Sequence, residues 1–289
     1  MPSPRSSAQT AALLRHETIS HYGPVPDHLG DHPVASGYRV FDGGAFLMRT
    51  VSGFGFFYRP GRGITIERPD RADPDEEFLW LRGSVHTAVA SLHGLYPVHA
   101  SAAVHAGRVH AFTGPSGAGK STLISALGQR GLPMFWDDTM LLDLADPDRI
   151  TALPGHKRLK LTDHALGLTG QTGQQPVGAA TGKSYVAPAG GDWPDPLPLA
   201  QLVFLNAGPA LSWNELAGAQ RLALLDDDHD VQRLYLEAQR PTRSALFALR
   251  ARLARQIGMA RLTRPIDAAR FSASAELAHR RIAAWEDPG

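Results

Sequence analysis

The sequence predicts an α/β fold in which a phosphate-loop core follows a small, mainly β lobe. Three observations carry the prediction. Residues 114–122 read GPSGAGKST, which fits the pattern G-x-x-x-x-G-K-[ST] with Gly114, Gly119, Lys120 and Ser121 in the defining places. The flanks suit it: Val109, Ala111 and Phe112 make a short apolar strand before the loop, and Leu123, Ile124, Ala126 and Leu127 put an apolar stripe on a helix after it. Upstream, residues 34–67 hold short apolar or aromatic runs broken by glycine and proline, the text of antiparallel strands.

Size and composition set the limits. A chain of 289 residues can bury a core of ordinary size and a smaller one beside it. Three stretches are expected: a flexible segment over residues 1–33, a small lobe with a linking helix over 34–97, and the phosphate-loop domain over 98–289. The net charge of +1, from 29 basic and 28 acidic residues, argues against nucleic acid or an anionic membrane as the main partner. The absence of cysteine excludes disulfides, thiolate metal sites and cysteine nucleophiles. No apolar run approaches the roughly 18 residues of a membrane span, and the polar start lacks the apolar core of a signal peptide. A cytoplasmic location is expected.

In chain order, residues 1–33 are rich in Pro, Ser, His and Gly and predict a frayed start with one short helix around 11–16. The runs YRVF, AFLMRT, GFFYRP and ITIE then read as strands. Asp73-Pro74-Asp75-Glu76-Glu77 is a helix start, with a cap, an early proline and an acidic first turn, and the apolar pattern continues from Phe78 to Leu92. Residues 98–104 and 108–112 form two strands joined at Ala106-Gly107, the second leading into the phosphate loop. The loop's helix closes at Gln129-Arg130-Gly131, and residues 132–136 make a buried strand that stops at Asp137-Asp138. Strand, helix and strand in this order imply a parallel pair with a right-handed crossover, binding its ligand at the carboxyl ends of the strands. Residues 139–144 continue as a strand, 153–162 (LPGHKRLKLT) are basic, and 169–182, poor in bulky apolar groups, read as a mobile loop. A further strand is expected over 199–206, and helices over 217–225, 243–257 and 272–285.

Each motif implies chemistry. Gly114, Pro115, Ser116, Gly117, Ala118, Gly119, Lys120, Ser121 and Thr122 would curl around a phosphate chain, helped by the positive end of the helix dipole. Lys120 would reach the β/γ phosphates and the Ser121 hydroxyl would bind Mg²⁺, so ATP and Mg²⁺ are the expected cofactors. A phosphate loop alone says only that a nucleotide is bound, and the carboxylates narrow the choice. One of Asp137 and Asp138 can hold Mg²⁺, and the other can take the proton from an attacking hydroxyl. Arg158 and Lys160, alternating on a strand, would point the same way and suit a γ-phosphate or a peptide carboxylate. Lys183, beyond the mobile loop, could close onto phosphate.

Residues 98–144 resemble the catalytic core of the HPr kinase/phosphorylase family. The likeness lies in a histidine on the strand before the hairpin in VHASAAVHAGRVHAFTG, the loop GPSGAGKST, a helix ending QRG and a strand ending DD, in this order. It implies an HPr kinase/PEP carboxykinase-like P-loop kinase core. By matching position it makes Asp137 the base that deprotonates a serine hydroxyl, Asp138 its metal-side companion, and His99 a neighbour of the base and of the transferred phosphoryl group. Pro115 stands where that family carries aspartate, and LPGHKRLKLT stands in place of its acidic downstream segment. In that proline-glycine-basic segment and in its divergent small N-terminal lobe the chain is more similar to the HPr-kinase-like proteins that accompany ribosomally made peptides. Among them are the lasso-peptide tailoring kinases, which phosphorylate a serine of the precursor, notably at its C-terminus. The resemblance thus implies a precursor peptide as partner. The residues themselves leave other readings open: a small-molecule hydroxyl as acceptor, a transporter-type ATPase whose signature LAGAQR at 216–221 loosely echoes, or a nucleotide-binding regulator without chemistry.

Overall fold

The computed structural model describes residues 5–155, 158–177, 181–188, 190, 193, 195–225 and 230–286. The chain divides into two compact units, one made of Met1–Pro97 with Asp228–Pro241 and the other of Val98–Asp227 with Thr242–Gly289.

The first unit opens on α1 (Ser7–Glu17), started by a capping box in which Ser6 Oγ accepts from the Gln9 N–H and Gln9 Oε1 accepts from the Ser6 N–H. At its far end Glu17 is buried, and one carboxylate oxygen accepts from the Tyr58 hydroxyl and the Gly61 N–H, both at 2.8 Å. The flexible start expected over residues 1–33 is therefore a folded part of the unit from Ser7 onward, while residues 1–4 lie outside the described residues. β1 (Ser20–Tyr22) adds a parallel edge to the sheet, and β2 (His28–Leu29) pairs with β3 (His32–Pro33). The four expected strands are β4 (Arg39–Asp42), β5 (Ala45–Arg49), β6 (Gly55–Arg59) and β7 (Gly63–Glu67), antiparallel in the order β1-β7-β6-β5-β4. Both faces are covered. Phe46, Phe56, Tyr58, Ile64 and Ile66 are buried on one, and Leu47 packs with Val25, Leu29 and Val34 on the other. Asp73 caps α2 (Pro74–Trp80), and the helical run goes on through a π-helical turn (Leu81–Val85) into α3 (His86–Leu92).

β8 (Tyr96–His105) and β9 (Arg108–Thr113) form a hairpin whose two turn residues, Ala106 and Gly107, both have positive φ (47° and 71°), as a tight primed turn requires. The phosphate loop follows β9 and leads into α4 (Lys120–Gly128), β10 (Met134–Trp136) and β11 (Thr139–Asp143). β9 and β10 are not the neighbouring parallel pair that the order strand, helix, strand predicts. β8 pairs antiparallel with both β9 and β10 and so lies between them. The tight hairpin lays the ten-residue β8 along β9 first, which leaves only its other edge for β10.

Next come β12 (Thr151–Ala152), β13 (Leu159–Thr162), α5 (Asp163–Thr169), β14 (Gln175–Pro176) and β15 (Lys183–Val186). The stretch read as a mobile loop is pinned through residue 177. The Gln174 N–H donates to the Tyr185 carbonyl, the Val177 N–H donates to the Lys183 carbonyl, and the Val177 side chain is buried. Residues 178–180 of that loop lie outside the described residues. The centre of the unit is β16 (Leu197–Ala207), parallel to β9, followed by β17 (Ser212–Glu215) and α6 (Ala219–Ala223). The chain then re-enters the first unit as α7 (Asp230–Gln239), where Tyr235 stands edge-on to Tyr96 at 5.1 Å and Gln239 donates to the Ser91 carbonyl. α8 (Arg243–Gln256), β18 (Gly258–Arg264) and α9 (Ala268–Ala283) complete the second unit, with β18 parallel to β16. Leu123, Ile124 and Leu127 of α4 are buried in one core with Phe112, Val203, Leu262 and Ile282. This packing fixes the loop between β9 and α4. Among the described residues no helix is long and apolar enough to cross a membrane.

Candidate functional site

The loop's shape follows from its glycines. Gly114 passes so close to β16 that a Cβ there would lie 2.9 Å from the Leu205 carbonyl oxygen, and Gly117 and Gly119 both sit at φ 80°, where other residues are strained. Gly119 is the N-cap of α4 and supplies no side-chain cap, which leaves the orphan N–H groups of the first turn to a ligand. Lys120 is buried rather than exposed at a loop end. Its Nζ donates to the carbonyls of Gly114 (2.8 Å) and Pro115 (3.1 Å), so the ammonium lies across its own loop.

The two carboxylates occupy the break between β10 and β11 and face different partners. Asp137 is buried; its Oδ1 accepts from the hydroxyls of Ser101 (2.6 Å) and Ser121 (2.8 Å), and its Oδ2 lies 3.5 Å from the Lys160 N–H nitrogen. Burial pushes its carboxyl above the usual carboxylate range, against the opposing hydrogen bond from Ser101; Asp138 adds to the rise, and Ser121 and the Lys160 N–H oppose it. Asp138 sits at φ 88°, in the left-handed region that a non-glycine residue enters at a cost of about 1–3 kcal/mol. Its side chain is about half exposed (49 %), with one oxygen 3.4 Å from Lys160 Nζ and the other 3.5 Å from His99 Nδ1. The Asp138 carbonyl lies 2.9 Å from His99 Nδ1. A carbonyl only accepts, so Nδ1 carries the proton in that bond.

One cavity of about 280 Å³ is lined by His99, Ser116, Gly117, Gly119, Lys120, Ser121, Thr122, Asp137, Asp138, Lys160 and Lys183. Arg158 is not among them. It precedes β13 rather than lying on it, and its guanidinium covers, at 4.9 Å, the ring of Tyr185, the residue paired with Lys160 across the strands, so it shares the Lys160 face but does not line the cavity. His156 and Lys157 of the basic segment lie outside the described residues. Gly155, before them, presses on the indole that precedes the carboxylates: a Cβ there would fall 1.7 Å from ring carbons of Trp136.

Two residues at the site carry no motif. Ser101 is a fully buried hydroxyl in the alanine-rich β8, and its polarity among small apolar neighbours is the only signal it gives. Arg264, at the carboxyl end of β18, is buried on the same strand face as Ala260 and Leu262, and its Nη2 donates to the Ala118 carbonyl at 2.6 Å. Burial lowers its pKa.

The donors fit a magnesium nucleotide. A buried carboxylate and a hydroxyl within hydrogen-bond distance are hard oxygen ligands of the kind Mg²⁺ takes, usually one or two from protein with the rest from phosphate and water. They adjoin a glycine-shaped loop and a helix N-terminus suited to phosphate.

No protein-family model matches the chain, and the search of curated proteins returns no match. Among solved structures the chain is similar to the Hpr(Ser) kinase/phosphatase from Coxiella burnetii, at 12 % identity and a TM-score of 0.30, over 64 % of this chain and 96 % of that one.

Proposed function

We propose that the protein is a cytoplasmic, ATP-dependent kinase that transfers the γ-phosphoryl group to a serine hydroxyl of a peptide, a ribosomally made precursor of the lasso class, at or near its C-terminus. The observation that carries the kinase reading is the meeting, in one cavity, of a phosphate loop with two adjacent carboxylates turned to different partners. Bound Mg²⁺ supplies charge neutralisation at the β and γ phosphates, and Ser121 and Asp137 are the residues that would hold it.

The contact between Ser121 and Asp137 favours the reverse of the division that the family resemblance implies. Asp137 shares the loop serine's hydroxyl and so belongs with the metal. Asp138, half exposed, belongs with the acceptor: it takes the serine proton as the oxygen attacks the γ-phosphorus and ADP departs. His99 supports this role by binding the Asp138 main chain, which holds the strained residue in place. Lys120 bears on the β/γ phosphates after leaving the carbonyls of its own loop. Lys160 and Lys183 line the acceptor side and suit an anionic group such as a terminal carboxylate. The small cavity also favours one second reading, a small anionic alcohol as acceptor.

The test is incubation with labelled ATP, Mg²⁺ and peptides ending in serine, free or amidated at the C-terminus. Transfer of one phosphoryl group to serine, weakened by the amide, is expected. Phosphate release with no acceptor labelled would refute the kinase, and label on small alcohols alone would move the acceptor to the second reading.

A further inference from the structure

Arg264 lies outside the phosphate motif by 142 residues of sequence from Thr122, yet it touches the loop at the peptide joining Ala118 and Gly119. Its Nη2 donates to the Ala118 oxygen at 2.6 Å, and the guanidinium occupies the space a side chain at 119 would fill, 2.4 Å from an ideal Cβ. Gly119 is thus required twice, for its φ of 80° and for the room it leaves Arg264. Across a trans peptide the oxygen of one residue and the N–H of the next point in opposite directions. A carbonyl drawn outward to Arg264 therefore sends the Gly119 N–H the other way. The lining of the cavity agrees: Gly119 faces it and Ala118 is absent from it.

We infer that Arg264 is a positioning residue that sets the 118–119 peptide so that the Gly119 N–H faces the phosphate chain. The inference rests on the nucleotide reading above. Without the guanidinium a peptide flanked by glycine can turn over, and its oxygen would then confront the phosphates. The packing of Arg264 helps to hold it there, with its guanidinium 5.8 Å from the Phe271 ring centroid. Because the peptide orientation matters equally to bound ATP and to the transition state, its loss is a uniform binding defect: it raises KM and leaves kcat.

The experiment measures ADP binding with Mg²⁺, KM and kcat for ATP, and the thermal midpoint without nucleotide, on the full chain. Arg264→Met is expected to weaken ADP binding and raise the ATP KM about ten- to hundredfold, the effect of losing one charge-assisted hydrogen bond, with kcat within about threefold. Arg264→Lys, which keeps a donor and the charge but not the fork, should recover part of the loss. A folded Arg264→Met protein with ADP binding within about twofold of the parent overturns the inference, as does a lowered thermal midpoint with unchanged binding. If Arg264→Met does not fold, Arg264→Gln decides on the same ADP measurement: several-fold weaker binding supports the inference and parental binding overturns it. Absence of ADP binding by the parent chain itself would instead sink the nucleotide reading, and the two failures are distinguished before any variant is made.

Discussion

Replacing each aspartate of the pair by asparagine, one at a time, separates the two assignments of roles. Asp138→Asn keeps the side-chain shape and removes the proton acceptor. The ion pair it loses, with Lys160 Nζ at 3.4 Å and the side chain half in water, is worth at most about 1 kcal/mol of stability, so the fold should be unaffected. The rate should not be. Loss of a general base lowers kcat by about 10² to 10⁴, or about 3–5 kcal/mol of barrier. Asp137→Asn keeps an oxygen for the hydroxyls of Ser101 and Ser121 but removes the charge beside the loop serine. It should raise the Mg²⁺ concentration at half-maximal rate by about ten- to a hundredfold, the range seen when a metal site loses a supporting group. The assay is the initial rate of peptide phosphorylation at saturating ATP, with Mg²⁺ titrated for the parent and both variants. A raised Mg²⁺ requirement in Asp138→Asn together with an unchanged one in Asp137→Asn would refute this division and restore the one the family resemblance implies.

Four further outcomes are expected. Lys120→Met should abolish transfer while the protein stays folded, because the methionine stem fills the buried path of the lysine; full transfer by the folded variant would remove the loop from the reaction. Gly155→Ala places a methyl 1.7 Å from Trp136 ring carbons, so the denaturation midpoint should fall by the equivalent of about 1–3 kcal/mol and the rate should drop with it; parental values of both would refute the packing argument. Ser101→Ala takes one donor from a buried carboxylate and should cost about 1–3 kcal/mol by urea denaturation, with no loss showing the bond to be irrelevant. His110 has its pKa lowered to about 3, chiefly by burial and then by His105 and Arg108. The unfolded chain therefore takes up the proton first on acidification, and the stability held above about pH 6.5 is lost as pH falls toward 3, at up to about 1.4 kcal/mol per pH unit. His110→Gln should flatten that slope between about pH 6 and 4.5, and equal slopes in parent and variant would count against it.

What the sequence made legible was local. The loop, its helix, the Ala106-Gly107 hairpin and the aspartate pair all lie within 47 residues and announce themselves by spacing and by turn residues. The order of strands did not, because β8 enters between β9 and β10 through contacts that no window of sequence contains. The first 33 residues look disordered by composition, yet a capping box and one buried glutamate hold their helix in place. Ser101 and Arg264 act only after folding brings β8 and β18 to the loop, and neither belongs to a motif that names its partner. Arg158 shows that a shared face is not a shared site: it lies over Tyr185, the partner of Lys160, yet only Lys160 lines the cavity.

The double visit of the chain to its first unit has a practical side. No single cut yields the two units as separate pieces, since a fragment ending at residue 97 would leave Tyr96 and α3 without α7. A fragment starting at 98 would carry α7 away from its partners and turn Leu234 and Tyr235, both buried in the intact protein, toward water. Each half would thus expose an apolar face cut to fit the other, the condition under which fragments associate or precipitate. Recombined from two polypeptides split at residue 97, the halves should complement one another, with α7 as the piece that does the joining.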